Sequence, residues 1–418
     1  MANKTIPFFL IPIALICYPG SSAGFLNNNQ DAAATAMGNC FAAVADNPSA
    51  VFYNPAGINQ LEGTQLRAGG NLFLPNTSFR GSESGKRTDM DDDISALAMG
   101  YLTHKVNDTI SIGGGIFTPF ALDTEWPSRW EGETLYTYSE FTTFCVNPAV
   151  SVQVHPRLFL AVGIDYLYSD FKIRRVVNPN QLIGLPLGIP SGKVTLEGFD
   201  DTWGYNLGLL FHLNDRWKLG ISYRSELKLE FDGHARYHLP PLLEALYPPT
   251  DISPRVELPM TVSAELSTQM WDKWTFAAGI RWTNWSVIDE HVIKPRDNLL
   301  VPPTMQSSPQ DWRDVIDFHL GVQYQLNPTW VLRGGYTFDK SPVPERTLSP
   351  MVPDSDGHLL SLGIGYKRAN FVIDLACMAS LFKDRHTRRN LDGLNGKYTS
   401  TAISFLISAT YYFQGNSS

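Results

Sequence analysis

The sequence predicts an all-β protein: a transmembrane antiparallel β-barrel of about fourteen strands with an N-terminal hatch that plugs the lumen. Three observations predict this fold. Many segments alternate apolar and polar residues, the connections between them alternate between short and long, and an apolar stretch near the N-terminus is interrupted by two Asn-Pro pairs. The composition agrees, because 18% charged residues, 12% aromatic residues and 33 glycines suit strands and turns.

The N-terminus has the pattern of a secretory signal peptide. Lys4 supplies a positive charge, residues 8–18 are mostly apolar, and residues 21–23 offer small side chains at a cleavage site. We therefore predict a signal peptide over residues 1–23 that is removed after Ala23, so that the mature protein leaves the cytoplasm.

Residues 24–60 are predicted to form the hatch domain. Within this segment, residues 32–37 favour a short helix that Asn29 or Asp31 caps and that Gly38 ends. The alternative is an N-terminal arm that lies on the protein surface, and the composition of the segment leaves both arrangements open.

Residues 46–58 are the part of the hatch that most needs burial. Their two Asn-Pro pairs prevent one continuous helix, and proline also excludes an ordinary central strand. Val51, Phe52, Tyr53 and Ile58 are nevertheless large and apolar or aromatic. An irregular, apolar segment that precedes a series of alternating strands is expected to pack inside the barrel.

Strand signals fill the rest of the chain, so the barrel domain is predicted over residues 61–413, followed by a short extension over residues 414–418. Residues 316–326 alternate strictly between apolar side chains and polar or small ones, and residues 217–224 and 403–413 show similar alternation. Such runs have about the 9–11 residues that a tilted transmembrane strand needs. One apolar face opposite one polar or small face suits lipid outside and a crowded lumen inside.

The connections between the predicted strands alternate between two lengths. Short turns are predicted at Asn107-Asp108, His155-Pro156-Arg157, Asn214-Asp215, Trp271-Asp272, Asn327-Pro328 and Arg368-Ala369. Long loops are predicted over residues 81–93, 121–133, 176–192, 232–254, 286–311, 339–356 and 383–396. Short periplasmic turns and long extracellular loops are typical of bacterial barrels. A soluble sandwich or propeller, the alternative fold, has no reason to keep this rhythm.

Tryptophans accompany the short turns. Trp217, Trp271, Trp274 and Trp330 all lie beside one. Because Trp prefers the level of the lipid headgroups, we predict a periplasmic aromatic girdle. The alternative is that Trp often begins a strand in any case.

Catalytic, metal and nucleic-acid chemistry find no support in the sequence. The net charge of −8 does not suit a basic nucleic-acid binder. No nucleophile elbow, phosphate-binding loop or His-Glu-x-x-His motif is present. His234 and His238 are four residues apart but have no third ligand nearby, and Cys40, Cys145 and Cys377 match neither a disulfide framework nor a zinc site. We therefore expect no enzyme activity, no metal and no cofactor.

Two of the long loops are unusually apolar for segments that face water. Both residues 176–192 and residues 232–254 are rich in leucine or isoleucine. Either the loops cover one another as a lid or they hold an apolar ligand, and the sequence leaves both explanations open. The residues that we predict to contact such a ligand are Leu182, Ile183, Leu185, Leu187, Leu242, Leu243, Leu246 and Tyr247.

Several short segments resemble a known family. Residues 54–56 read Asn-Pro-Ala, residues 339–344 read Asp-Lys-Ser-Pro-Val-Pro, residues 353–356 read Pro-Asp-Ser-Asp, and Trp285-Ser286 ends a predicted strand. Together they resemble the FadL/TodX family of outer-membrane transporters of long-chain fatty acids and hydrocarbons. The final strand also ends in an aromatic residue, Phe413, as the barrels of that family do.

The resemblance implies a barrel in the bacterial outer membrane that takes up hydrophobic molecules by passive diffusion. It implies a gate in the hatch, a lateral exit through the wall, and an apolar capture groove formed by the third and fourth extracellular loops. The expected partners are the hydrophobic small molecule and outer-membrane lipid, and the expected state is a monomer. The residues assigned to the hatch and its gating are Phe52, Tyr53, Asn54, Pro55, Ala56, Gly113, Gly114 and Gly115.

Two points stay open at this level. Glycines 113–115 lie in the third predicted strand, where they mark either a kink that opens the wall or close packing against the hatch. Arg174, Arg175 and Lys340 can meet a ligand carboxylate at the mouth of the lumen or simply face water. The substrate is therefore either a fatty acid or an aromatic hydrocarbon. The alternative functions are a general diffusion porin for small polar solutes and a structural or adhesive barrel.

Overall fold

A computed structural model describes residues 24–91, 94–178, 180, 188–241, 247–295 and 307–413. The predicted signal peptide and the C-terminal extension lie outside these ranges. The α-helices are α1 (Ala32–Ala36) and α2 (Ala50–Tyr53), and short 3₁₀ helices span Pro55–Gln60, Trp285–Val287 and Glu345–Thr347.

The strands dominate the described chain. In chain order they are β1 (Thr64–Gly81), β2 (Arg87–Asp89), β3 (Ser95–Lys105), β4 (Ile110–Phe117), β5 (Ala121–Glu125), β6 (Tyr138–His155), β7 (Leu158–Val177), β8 (Gly192–His212), β9 (Trp217–Arg224), β10 (Leu227–Glu230), β11 (Asp232–His238), β12 (Thr250–Leu258), β13 (Thr261–Met270), β14 (Trp274–Thr283), β15 (Glu290–Pro295), β16 (Ser307–Pro309), β17 (Val315–Gln325), β18 (Trp330–Asp339), β19 (Gly357–Arg368), β20 (Phe371–Phe382), β21 (Arg385–Thr387) and β22 (Gly396–Phe413).

Fourteen of these strands close into an antiparallel barrel. The wall strands, in order around the barrel, are β1, β3, β4, β6, β7, β8, β9, β13, β14, β17, β18, β19, β20 and β22. The last wall strand pairs with the first from Thr64 opposite Phe413 to Gly81 opposite Gly396. This pairing closes the ring, so the predicted barrel is confirmed.

The burial pattern shows that the apolar face of the wall points outward. On β17, Ile316, Phe318 and Leu320 are 45%, 52% and 52% exposed, whereas Asp317 and His319 between them are each 2% exposed. Apolar side chains that face outward and polar side chains that face a filled interior are the arrangement of a barrel in lipid. No helix among the described residues is long and apolar enough to cross a membrane.

The predicted rhythm of the connections is confirmed. Short turns over residues 106–109, 156–157, 213–216, 271–273, 326–329 and 369–370 join wall strands at one end of the barrel. The long connections, which carry the remaining strands, lie at the other end. At the end with the short turns, Trp217 is 42% exposed and Trp271 is 72% exposed, which fits the predicted aromatic girdle.

The N-terminal segment folds locally as its sequence suggests. Asp31 caps α1, because its Oδ1 accepts a hydrogen bond from the Ala34 N–H at 3.1 Å. Gly38 lies at a φ of +65°, two residues after the helix ends. Asn54 then separates α2 from the 3₁₀ helix, whose first residue is Pro55. The Asn-Pro pairs thus divide the segment into short helical turns.

Residues 24–60, here called the plug segment, touch the inner wall around its circumference. A Cβ atom on Gly335 of β18 would lie 2.0 Å from the Gly38 nitrogen, and one on Gly220 of β9 would lie 2.2 Å from the Ala42 oxygen. Contacts this close are tolerated only where the wall residue has no side chain. Inward-facing glycines therefore let the backbone of the plug segment lie directly against several strands of the lumen.

Candidate functional site

An apolar cavity of about 110 Å³ lies at the end of the barrel that carries the long loops. We call it the mouth pocket. Its apolar lining comes from the plug segment, the wall strands and the long loops, and consists of Phe25, Leu122, Phe141, Phe171, Ile173, Phe231, Pro254, Val256, Trp312, Met351 and Val352. Tyr136, Ser139, Glu140 and Arg255 complete it. An apolar cavity with a few polar groups is the usual form of a small-molecule site.

Phe25 of the plug segment forms one side of the mouth pocket. Its ring lies 5.4 Å from the ring of Phe141, 5.1 Å from that of Trp285 and 5.9 Å from that of Trp312, centre to centre. Aromatic pairs at these separations attract one another beyond simple area burial. The N-terminus of the described chain is thus itself part of the pocket that a ligand would enter.

Of the three cations predicted to meet a ligand carboxylate, two have partners already. Lys340 Nζ lies 2.9 Å from Asp356 Oδ2, and the Arg174 guanidinium lies 4.6 Å from the centre of the Tyr138 ring. Arg175, in contrast, has no ion-pair or hydrogen-bond partner for its side chain among the described residues.

Arg175 lies close to the mouth pocket. Tyr136, which lines the pocket, interacts electrostatically with Arg175. Burial raises the pKa of Tyr136, so its hydroxyl stays neutral and can donate a hydrogen bond. Tyr136 thus lines the pocket, and Arg175 lies near it without lining it; the charge of Arg175 also interacts with Asp392.

Most of the predicted ligand contacts in the two apolar loops fall outside the described residues. They are Leu182, Ile183, Leu185, Leu187, Leu242, Leu243 and Leu246. Tyr247 is described: its ring lies 5.6 Å from that of Tyr237, and it packs against the buried cluster that includes the pocket. Its role in ligand binding stays a prediction.

The strand pairing of the wall is interrupted beside the plug segment. Ser95 to Met99 of β3 pair with β1, but on their other side the described strands offer them no partner, because β4 begins to pair with β3 only at Gly100. Between β4 and β5, residues 118–120 lie opposite Thr143 and Phe144 of β6 and form a bulge. We call the space between Ser95–Met99 and this bulge the wall gap.

The bulge is bonded to the start of the plug segment. The Asn27 N–H donates to the Pro119 carbonyl at 2.8 Å, and the Asn27 and Gln30 side-chain amides both donate to the Thr118 carbonyl, at 3.0 and 2.5 Å. Leu26 and Phe120 also pair as an isolated antiparallel bridge. The shape of the wall gap therefore depends on where residues 26–30 lie.

The three predicted gating glycines lie next to the wall gap rather than in it. Gly113, Gly114 and Gly115 keep continuous pairing with β3 and with β6. A Cβ on Gly113 would lie 3.0 Å from Val51 of the plug segment, and one on Gly115 would lie 2.9 Å from Tyr101. Close packing explains these two glycines, and among the described strands the pairing beside them is interrupted further along, at the bulge.

The five predicted hatch residues belong to the plug segment, and they contact either other residues of that segment or the wall. The Tyr53 hydroxyl donates to the Asn28 carbonyl at 2.7 Å, and the Asn54 amide donates to the Leu209 carbonyl of β8 at 3.0 Å. Phe52 stacks edge-on against Phe117 with a centre-to-centre distance of 5.0 Å. Pro55 is the first residue of the 3₁₀ helix. The Ala56 carbonyl accepts a hydrogen bond from the Ser151 hydroxyl at 3.2 Å, which ties this helix to the wall.

A buried charge network fixes the plug segment to the wall. Arg67 of β1 donates from Nε to Asp31 of the plug segment at 2.5 Å and from Nη2 to Asp374 of β20 at 2.8 Å. Arg333 of β18 holds the other oxygen of Asp374 at 2.7 Å. Each of these four side chains is less than 10% exposed. Breaking a buried network of this kind costs several kcal/mol, about 3–5, because it strands an unpaired charge.

A second anchor lies on the far side of the lumen. Glu265 Oε2 of β13 accepts hydrogen bonds from the Ala42 and Ala43 N–H groups at 2.6 and 3.3 Å. Ser267, two residues along the same strand, donates to the Ala43 carbonyl at 3.2 Å. The middle of the plug segment is therefore held at opposite walls, whereas its first residues depend on neutral hydrogen bonds.

These anchors were not predicted from the sequence, although a signal for them was present. Charged residues recur in the strands on the face opposite the lipid-facing residues, as Arg67, Glu265, Arg281, Asp317 and Asp374 show. In a membrane barrel such residues must find partners inside. The alternation identifies the residues, but pairing them needs the three-dimensional fold.

The described residues offer no cluster of His, Cys, Asp and Glu suited to a metal ion. His234 instead lies 3.0 Å from Glu197. Cys40 and Cys145 are buried, Cys377 is exposed, and all three are free thiols.

Comparison with known proteins agrees with this geometry. The family model described as "Outer membrane protein transport protein (OMPP1/FadL/TodX)" matches residues 13–413. A long-chain fatty acid transport protein of Salmonella typhi is 25% identical over 405 residues, which cover 88% of this chain and 89% of the relative.

Solved structures share the fold. A FadL homologue of Pseudomonas aeruginosa superposes with a TM-score of 0.85 at 21% identity, covering 94% of this chain and all of that one. The toluene transporter TodX of P. putida gives a TM-score of 0.71 at 17% identity, covering 88% and 95% of the two chains. At these identities the likeness establishes the barrel architecture.

Proposed function

Because the chain belongs to the OMPP1/FadL/TodX family of outer-membrane transport proteins, we propose that it carries hydrophobic molecules across the bacterial outer membrane by passive diffusion. Its sequence relatives include a long-chain fatty acid transport protein and its structural neighbours a toluene transporter. Both kinds of compound are mainly apolar. The proposal for this chain is an apolar ligand that enters from the end with the long loops.

One observation carries the proposal: the mouth pocket, the start of the plug segment and the wall gap adjoin one another. Phe25 and Leu122 line the pocket, and the residues next to them, Leu26 and Phe120 to Ala121, join the plug segment to the bulge. A ligand in the pocket is therefore close to the place where the strand pairing of the wall is interrupted. A water-filled porin has no need of this arrangement.

The energetics favour an exit into the bilayer. Each methylene gains about 0.8 kcal/mol on leaving water, so a ten-carbon chain gains roughly 8 kcal/mol. A route that returned the chain to water would have to reverse that gain. A lateral step from the mouth pocket through the wall gap into hydrocarbon keeps the chain in apolar surroundings throughout.

The mouth pocket is too small to hold an apolar ligand unless a lining side chain moves, and such a movement would act as a gate. Its volume is about 110 Å³, whereas an apolar cavity that binds benzene measures roughly 150 Å³. A ligand therefore needs a lining side chain to move, and Phe25 belongs to the part of the plug segment that lies outside the charged anchors. We propose that ligand entry displaces Phe25 and that residues 26–30 pass this movement to the bulge.

The proposal is tested by uptake in a bacterial host that lacks its own fatty acid transporter. Cells that produce the protein are expected to take up radiolabelled dodecanoate and toluene faster than cells with the empty vector, while uptake of a small sugar stays at the level of the empty vector. Equal gains for the sugar and the apolar compounds would favour a general porin. No gain for either apolar compound would contradict the proposed function.

Arg175 makes a fatty acid the better-matched substrate. Arg175→Met removes the charge and keeps an apolar side chain, so binding of dodecanoate is expected to weaken by about tenfold or more, the worth of a charge-assisted hydrogen bond. Toluene binding should stay unchanged, because toluene has no carboxylate. Both affinities can be measured by equilibrium binding to protein in nanodiscs.

Arg174→Met is the matched control for this measurement. Arg174 is the preceding residue on the same strand, and its guanidinium already lies over the Tyr138 ring. It is expected to leave both affinities within about twofold of the wild type. Loss of both ligands in the Arg175 variant, or of neither, would remove the assignment of the carboxylate to Arg175.

We also expect the protein to act as a monomer. The first and last wall strands pair with each other along their whole length, so the ring has no terminal strand that a second copy could extend.

A further inference from the structure

Basic side chains form a row across four neighbouring strands at the end of the barrel that carries the long loops. Arg87 of β2 lies directly opposite Arg80 of β1, and Arg80 lies directly opposite Lys397 of β22. Lys397 in turn lies opposite His386 of β21. Residues directly opposite one another on antiparallel strands point to the same face of the sheet. We call these four residues the basic row.

The basic row faces outward. Phe79 and Tyr398, which are the sequence neighbours of Arg80 and Lys397, are buried inside the barrel. Because successive side chains on a strand point to opposite faces, Arg80 and Lys397 lie on the outer surface. The side chains of Arg87 and Lys397 are 54% and 38% exposed.

Two carboxylates near the basic row leave it only partly neutralised. Arg87 Nη2 lies 2.6 Å from Asp89 Oδ1, and Lys397 Nζ lies 2.6 Å from Asp384 Oδ2. Arg80 has a cation opposite it on both neighbouring strands, yet its side chain has no ion-pair or hydrogen-bond partner among the described residues. Like charges directly opposite one another destabilise a sheet. An external anion would relieve this repulsion.

The segments that carry the basic row are positively charged as a whole. Residues 80–89 and 383–397 together contain eight Lys or Arg and four Asp or Glu, whereas the whole chain has a net charge of −8. The positive charge is therefore concentrated at this place on an otherwise acidic protein. A surface of this kind attracts an anionic partner.

The outer surface below the basic row changes in character along the same strands. Ile403, Phe405 and Ile407 of β22 are exposed and apolar, so they face hydrocarbon. Asn76 and Thr401 lie opposite each other between this apolar surface and the basic row, and they offer an amide and a hydroxyl group. From the middle of the membrane outward, the strands thus present apolar side chains, then hydrogen-bonding groups, then cations.

The basic row lies above the level of phospholipid headgroups. Lys397 is six residues beyond Ile403 on β22, which is about 20 Å along a strand and roughly 15 Å of height at the usual tilt of a barrel strand. The polar layer of a phospholipid leaflet is only about 5–8 Å thick. A lipid partner of the row therefore needs a large headgroup whose acidic groups lie well above its acyl chains.

We propose that the basic row binds the acidic headgroup of lipopolysaccharide, the glycolipid of the outer leaflet. Its acyl chains face the apolar side chains, its sugars lie beside the amide and hydroxyl groups, and its phosphate and carboxylate groups meet the cations. Arg80 and Arg87 suit this task, because a guanidinium can bind a phosphate or carboxylate through two hydrogen bonds. This lipid site goes beyond the proposed transport function.

The test measures lipid binding to the wild-type protein purified in a non-ionic detergent. Deep-rough lipopolysaccharide, which consists of lipid A and its innermost acidic sugars, is titrated and followed by native mass spectrometry. Phosphatidylglycerol, an anionic phospholipid with a small headgroup, serves as the comparison. We expect lipopolysaccharide to bind tighter by about tenfold or more, the worth of one charge-assisted hydrogen bond.

The double variant Arg80→Gln/Lys397→Gln removes two adjacent cations of the row. It is expected to weaken lipopolysaccharide binding by about tenfold or more and to leave phosphatidylglycerol binding within about twofold of the wild type. The matched control is Lys228→Gln/Arg236→Gln, which removes two exposed cations at the same end of the barrel, outside the row. The control should bind lipopolysaccharide as the wild type does.

Two results would overturn the proposal. One is equal affinity of the wild type for lipopolysaccharide and phosphatidylglycerol, which needs no variant and so holds even if a variant fails to fold. The other is undiminished lipopolysaccharide binding by an Arg80→Gln/Lys397→Gln protein whose folding is confirmed by heat-modifiable mobility on a gel. No residue of the basic row is among the described residues that line the mouth pocket, so neither result bears on the proposed transport.

Discussion

Replacement of Gly335 by valine is expected to convert a barrel with little steady ion current into one that conducts. A Cβ at this position would lie 2.0 Å from the Gly38 nitrogen and 2.4 Å from the Met37 carbonyl carbon. Both of these are backbone atoms, so a rotamer change cannot relieve the clash. The plug segment must leave this part of the wall, and ions can then enter the space.

The displacement would also break bonds that depend on the position of Gly38. The Gly38 carbonyl accepts hydrogen bonds from Thr337 at 2.7 Å and from His319 at 2.8 Å. Loss of two buried hydrogen bonds costs about 1–3 kcal/mol for each polar group left unpaired. These lost bonds make the displaced plug segment less stable, but the clash at position 335 prevents its return to the docked position.

The neighbouring glycine provides the control for this variant. Gly334 is the preceding residue on β18, and the nearest side-chain atom to a Cβ there is Cγ1 of Val322, at an ordinary contact distance of 3.5 Å. Gly334→Val should be as silent as the wild type in planar-bilayer recordings. If Gly335→Val folds and is equally silent, the plug segment does not close the lumen at this position.

The strands and turns could be predicted from the sequence because their signals are local. The alternation of residues 316–326 defines both the strand and its lipid face. The cap of α1 is set by Asp31, three residues from its bonding partner. The alternation of apolar and polar residues and the residue preferences of turns and caps act over a few residues, so strands and turns can be located from a single sequence.

The wall gap and the anchors could not be predicted, because they depend on distant pairs. Glycines 113–115 indicated the correct strand, but the bulge that bounds the gap is held by Asn27 and Gln30, about ninety residues earlier in the chain. Arg67 and Asp374 are separated by 307 positions. The sequence of a single strand does not show which two inward-facing charged residues form an ion pair, or where the pairing of two strands is interrupted.

The ligand's exit through the wall gap can be tested by an obstacle placed at the gap. Ala98 of β3 is exposed on the lipid side and pairs with β1 but has no β4 partner among the described strands. Ala98→Trp puts a bulky ring beside the gap without touching the plug segment's anchors. Uptake of dodecanoate and toluene is expected to fall by about tenfold or more, because the lateral step is hindered.

Ala409→Trp gives the same added bulk at an exposed position on β22, which β1 separates from β3. It should leave uptake at the wild-type rate, provided that both variants reach the outer membrane in equal amounts.

The most direct measurement is therefore the initial rate of radiolabelled dodecanoate uptake by cells that produce the wild type, Ala98→Trp or Ala409→Trp. If the ligand leaves laterally through the wall, the uptake rate should be low in cells with Ala98→Trp and should stay at the wild-type level in cells with Ala409→Trp. Equal rates in all three strains, all above that of the empty vector, would mean that the ligand crosses the barrel by another route.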